Sequence, residues 1–189
     1  PEENMVKETI QEADTRMKGA IEALADTLAT IRTGRASPAL VERLPVEYYG
    51  AATPLMQLAS ISIPEPRQLM IKPFDASSLK NIERAILTSE LGLTPNNDGK
   101  VIRLNLPVLT EERRRELVKV VHNHLEESRV AVRNVRRDLI KDLREFEKEK
   151  MISEDELKYA EEELQKLTDK FIEQIDAAGV KKEKEIMEV

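Results

Sequence analysis

An α+β fold, a long three-helix bundle with a small β-rich module inserted in it, is predicted by three features of this 189-residue sequence. Apolar residues recur at alternating spacings of three and four over three long stretches, the mark of helices with one buried face. Apart from Pro1, every proline lies between Pro38 and Pro107, and proline is excluded from helix interiors. Within that proline-bearing stretch, short β-branched runs replace the helical period. The bundle is therefore expected over residues 1–31 and 108–189, and the module over 32–107.

The first helix carries its stripe on Val6, Ile10, Ala13, Met17, Ala20 or Ile21, Leu24, Leu28 and Ile31. In the module, VEYY, LASISI, LMIKPF and VIRLNL read as strands, bounded by Gly50, the Pro64–Pro66 pair and a turn at Asn96–Gly99. SSLKNIERAILTSELG reads as a helix with a serine cap and apolar positions Leu79, Ile82, Ile86 and Leu87. After Pro107, Thr110 is placed to cap a second long helix whose first turn holds Glu111 and Glu112, where the helix dipole favours negative charge. Its stripe runs through Leu117, Val121, Leu125, Ser128, Val132, Val135, Leu139, Leu143 and Phe146, which implies a length on the order of 55 Å. The sequence SEDE supplies a capping box, Ser153 with Glu156, for a third helix striped by Leu157, Ala160, Leu164, Leu167, Phe171, Ile175 and Ala178. The short KMIS turn between the last two helices makes them antiparallel neighbours.

RTGRASP interrupts the first helical pattern with two arginines around a glycine. A phosphate-binding loop would need more glycines and a following helix. A hinge accounts for the position, the glycine and the proline together, with Arg32, Gly34, Arg35 and Pro38 in the segment 32–38 and Asn105 and Pro107 in the returning segment 104–110. On that basis a proline at Gly34 would stiffen the joint.

Composition excludes several classes of chemistry. Without cysteine there are no disulfides, thiolate metal sites or thiol nucleophiles. His122 and His124, the two histidines, are about 160° apart around a helix and cannot share a metal or a proton. No polar cluster singles out an acid or a base, so the chain is expected not to be an enzyme and to need no cofactor. No stretch suits a signal peptide or a membrane span, and a cytoplasmic monomer is expected.

The net charge of −6 conceals a segregation. Residues 108–144 carry ten basic and seven acidic side chains, whereas 145–189 carry eight and fifteen. With Val132 at the seam centre and 100° per residue, Arg129, Arg133, Arg136, Arg137 and Arg144 fall on one flank of the long helix. Glu127, Asp138, Asp142 and Glu145 fall on the other. A merely solvated helix mixes its signs, and guanidinium pairs bidentately with phosphate, so the flank points to the backbone of structured nucleic acid. The alternative is that these arginines bridge to the acidic third helix across the bundle.

IRTGRASPALVERLPVEYYGAATPL, ISIPEPRQLMIKPFD, IERAI, SELGLTPNNDGKVIRLNLPVLTEERR and RVAVRNVRRD resemble, in order, the motifs of the bacterial ribosome recycling factor family. The likeness extends from about Met5 to Val189; Val108 stands where a second proline is usual, and Phe74 where tryptophan is common. It implies a two-domain L shape and a factor that binds the post-termination ribosome through large-subunit ribosomal RNA. With elongation factor G and GTP, such a factor promotes splitting into subunits. Residue by residue, it implies RNA contacts at Arg129, Arg133, Arg136 and Arg137, a further one at Arg114, and a basic hinge at Arg32 and Arg35. An RNA chaperone or ribosome assembly factor binding structured RNA is the other function that would use the same flank.

Overall fold

The computed structural model describes residues 2–188; Pro1 and Val189, which the sequence assigns to the helical region, lie outside them. The chain divides into two compact units, one of residues up to Leu28 together with Glu116–Glu188, the other of Ala29–Arg115.

The first unit is built from α1 (Glu2–Ala29), most of α3 (Glu111–Lys148) and α4 (Glu154–Met187), with α2 (Leu79–Thr88) belonging to the other unit. Thr110 Oγ1 accepts the N–H of Arg113 at 3.1 Å and so caps α3. Ser153 and Glu156 form the reciprocal capping box of α4. The stripe of α3 is buried from Leu117 to Leu143, as its spacing predicts, and only Phe146 is left half-buried. On α1 the buried place falls to Thr9 in preference to Ile10, and the Thr9 hydroxyl is satisfied by donating to Met5 O at 2.9 Å. On α4, Leu157, Leu167 and Ala178 are only half-buried, while Thr168, Gly179 and Ile186 are buried. The stripe of a straight helix drifts relative to a strict 3.5-residue repeat, which rotates small and hydroxyl-bearing side chains into the seam. Thr168 Oγ1 donates to Leu164 O at 2.8 Å, so its burial leaves that hydroxyl paired. The bonds Arg129–Asp176, Arg136–Gln165 and Arg144–Glu161 climb one helix as they descend the other, which makes α3 and α4 antiparallel.

The second unit holds two sheets and one α-helix. Strands β1 (Pro45–Tyr48) and β2 (Ala51–Pro54) form a hairpin closed by Tyr49 and Gly50, at φ of +48° and +79°. Positive φ at both central residues is the turn geometry that matches strand twist. The sequence pattern did not predict β2: AATP has one β-branched residue, and its pairing is imposed by the turn. Strands β3 (Ala59–Glu65), β4 (Gln68–Pro73), β5 (Pro95–Asn97) and β6 (Ile102–Asn105) form an antiparallel sheet in the order β3-β4-β6-β5. Leu69 lies opposite Leu104 and Ile71 opposite Ile102, and all four are fully buried. Asn96 and Asn97 are strand residues, so the expected turn begins later, where Asp98 Oδ1 accepts the N–H groups of Lys100 and Val101. Helix α2 (Leu79–Thr88) buries Leu79, Ile82 and Ile86 among these strands, but Leu87 is exposed. Ser78 precedes it without capping it; the Ser78 hydroxyl donates to Asp75 O at 2.7 Å instead.

The two segments that enter and leave this unit are tied to one turn. The N–H of Ala36 donates to Pro66 O at 2.8 Å and that of Leu106 to Arg67 O at 2.8 Å. Gly34 sits at φ +88°, which proline cannot adopt. A proline there would rebuild the segment and not simply stiffen it, contrary to the expectation from sequence.

Candidate nucleic-acid interface

The helical wheel separates the charges of α3 only in part, since Glu145, which it sets with the acids, lines one groove with Arg136, Arg137 and Arg144, and Glu126 sits among the arginines. Asp138, on the acidic flank, accepts from Arg16 of α1 at 3.3 Å, while the arginine flank faces α4. Cross-bundle bridging, the alternative to nucleic acid, is thus present for part of the flank. Arg129 donates Nε and Nη2 to Asp176 Oδ1 at 3.0 and 2.7 Å and Nη1 to Glu126 at 3.2 Å. Its pKa is raised by the Asp176 hydrogen bond, against the effect of burial. Arg133 reaches Glu126 at 3.8 Å, a loose and solvated pair. Arg144 donates Nε to Glu161 at 2.9 Å.

Arg136 and Arg137 differ from these. Arg136 is half-buried along its stem and donates Nη1 to the neutral Gln165 Oε1 at 2.6 Å. Arg137 is exposed and makes no hydrogen bond or ion pair among the described residues. Both line a shallow open groove shared with Lys141, Arg144 and Lys148, and the one acidic side chain in it is Glu145. Lys141 and Lys148 are cations that a search for arginines passes over. Extending the helical wheel to lysine finds them, since they lie about 180° and 160° from Val132.

The other predicted residues lie in the smaller unit. Arg32 has its pKa lowered by burial and by the like charge of Arg113. Arg114 is half-buried, and its Nε has no partner. Arg35 is exposed. Ser37 Oγ accepts the Ala39 N–H and starts a single 3₁₀ turn at Pro38–Leu40. Asn105 Oδ1 accepts from Gln68 Nε2 at 2.9 Å, and Pro107 is exposed between β6 and α3. His122 contacts Glu183 of α4, and His124 lies 3.5 Å from Glu127, so the two rings point apart. Among the described residues no helix is long and apolar enough to cross a membrane.

Fold and flank together define a two-unit α+β protein: a helical unit, discontinuous in sequence, interrupted by an inserted sheet module and bearing a cation-lined groove on its longest helix. Comparison with known proteins gives that class a family. The family model for ribosome recycling factor matches residues 24–187. The ribosome-recycling factor of Roseiflexus sp. (strain RS-1) is 59% identical over 98% of this chain and 100% of its own length. That of Halalkalibacterium halodurans is 58% identical over the same shares. A solution structure of the ribosome recycling factor matches with a TM-score of 0.79 at 49% identity, covering 97% of this chain and 98% of that one. A second match, with a TM-score of 0.67 at 48% identity over 97% of this chain and 99% of the other, comes from models for the T. thermophilus ribosome recycling factor and the E. coli elongation factor G bound to the E. coli post-termination complex. The chain belongs to the ribosome recycling factor family.

Proposed function

We propose that this protein binds the post-termination ribosome through the backbone of large-subunit ribosomal RNA and, with elongation factor G and GTP, promotes separation of the subunits. The observation that carries the proposal is full-length similarity to ribosome-recycling factors, joined by a groove on α3 holding five cations against one acid. Recognition is of charge and shape, since the groove offers no aromatic ring to stack on a base. Arg129, Arg133, Arg136 and Arg137 supply contacts from the helical unit and Arg114 one from the smaller unit. The segments 32–38 and 104–110 act as hinges, and the translocase pushes on the inserted module. The protein works as a monomer and hydrolyses nothing itself; force passed along a stiff helical body strains the contacts between subunits.

The test adds the protein, elongation factor G and GTP to post-termination ribosomes and follows light scattering. A nucleotide-dependent fall in scattering is expected, and Arg136→Ala should lose ribosome affinity while melting near the wild-type temperature. Salt-sensitive binding without splitting would indicate a chaperone or assembly factor instead.

A further inference from the structure

The side chains of α4 that meet the arginine flank differ in charge, and the difference falls on particular arginines. Arg129 and Arg144 are held by carboxylates, those of Asp176 with Glu126 and of Glu161 respectively. Arg136 is held by an amide. Gln165 Oε1 accepts its Nη1 at 2.6 Å, and Gln165 Nε2 donates to Asp169 Oδ1 at 2.8 Å, one helical turn further along α4. This second bond fixes the amide orientation, because only the NH₂ group can donate to a carboxylate and Oε1 is then left facing the arginine. Arg136 Nε is buried with no partner, so the bond to Gln165 alone orients the charged head.

We infer that Gln165 is a positioning residue for RNA binding: it orients the Arg136 guanidinium without neutralising it, making Arg136 and its unpaired neighbour Arg137 the working cations of the flank. Arg129, by contrast, is tied up between α3 and α4 by Asp176 and Glu126 and adds the least of the four arginines to RNA affinity. The inference rests on the proposed RNA-binding role and goes beyond it in allocating the charge. A guanidinium already held by carboxylates presents little net charge to an approaching phosphate, which must displace them. A guanidinium held by an amide keeps its full charge and pays less side-chain entropy on binding because its geometry is already set. Glutamate at 165 would neutralise Arg136 and also face the like charge of Asp169 one turn away.

The test measures ribosome affinity of the full chain against KCl concentration for five variants, with thermal melting of each. Gln165→Glu should weaken binding about tenfold at low salt and lower the salt slope by about one, as Arg136→Ala does, while its melting temperature stays near wild type. Gln165→Met keeps the charge of Arg136 but drops the hydrogen bond, so affinity should fall a few-fold with the slope unchanged. Asp176→Asn should not weaken binding, whatever it does to melting. Wild-type affinity and slope for both Gln165 variants, alongside weak binding by Arg136→Ala, would overturn the positioning role and leave the RNA flank standing. Weakening by Asp176→Asn as large as that of Arg136→Ala would make Arg129 the working cation and overturn the allocation. Wild-type affinity for both Arg136→Ala and Arg137→Ala would remove the RNA-binding flank itself.

Discussion

Replacing Gly179 with alanine tests how closely α3 and α4 approach one another. A Cβ at that position would fall 2.3 Å from Leu125 Cδ1, with Cδ2 at 3.3 Å and Cγ at 3.4 Å. In an open helix the change would stabilise by about 1 kcal/mol, because glycine loses more backbone entropy than alanine. Here Leu125 is only 5% exposed, and its whole branched end faces the new methyl group. Forcing a methyl into a filled seam costs about 1–3 kcal/mol. The net expectation is a loss of roughly 1 kcal/mol, or about 2–4 °C in Tm for a chain of this size. Urea unfolding followed by far-ultraviolet circular dichroism measures it. The sign should reverse in a Leu125→Ala background: that change alone costs about 2–5 kcal/mol, and a methyl group at 179 then enters vacant space and stabilises by about 1 kcal/mol. If Gly179→Ala stabilises the otherwise native chain, or has the same effect in both backgrounds, the close approach described here is wrong.

Three other changes probe separate parts of the molecule. Ser153→Ala removes the hydroxyl that accepts the Glu156 N–H, leaving only the bond from the residue-153 N–H to the Glu156 carboxylate, and should lower stability by about 1 kcal/mol in the same urea assay. Asp98 has its pKa depressed to about 2, chiefly by the backbone N–H groups of Val101 and Lys100 and then by Arg103. Since the folded value lies below the unfolded one, its contribution is complete above about pH 4 and is lost as pH falls through about 2; Asp98→Asn should flatten this acid limb in urea melts of the chain at stepped pH. Deleting residues 36–105 and bridging the gap with a short Gly/Ser linker should leave a folded helical unit that binds ribosomes weakly and salt-sensitively but does not split them with elongation factor G. Splitting at near the wild-type rate would end the proposal that the module is what the translocase pushes.

The long helices were legible because period and caps agree. Each seam position of α3 from Leu117 to Leu143 could be counted from Thr110 onward, and Ser153 with Glu156 marked the start of α4. What the period misjudged are places where side-chain volume decides. Gly179 is buried where the Leu125 side chain of α3 fills the space beside it, and Thr168 where its hydroxyl is satisfied by its own helix, neither of which a count of apolar residues registers. In the module, β2 and β5 escaped notice because Ala51–Pro54 and Pro95–Asn97 become strands through their partners and not through propensity. On the candidate interface, the wheel located the arginines but could not assign their charge. Whether Arg136 meets an amide or a carboxylate depends on the register of α3 against α4, a tertiary property with no local signal.

The anchoring of Ala36 and Leu106 to adjacent residues of one turn bears on the order in which the chain assembles. Helices α1 and α3 pack together although residues 30–110 separate them, so an unstructured connection would impose a long loop closure on the helical unit. Once the module has folded, its two ends are fixed near each other and the effective loop shrinks from roughly 80 residues to roughly 10, lowering the closure cost by about 2 kcal/mol. Unfolding the module with a charge at buried Ile71 should therefore slow formation of the helical unit on the order of twentyfold in stopped-flow refolding, and an unchanged rate would show that the helices find each other without it. During synthesis α1 emerges first and waits without a partner; completion of the module brings the nascent α3 back to it, so the inserted sheet serves the helices as a folding jig before it serves any function of its own.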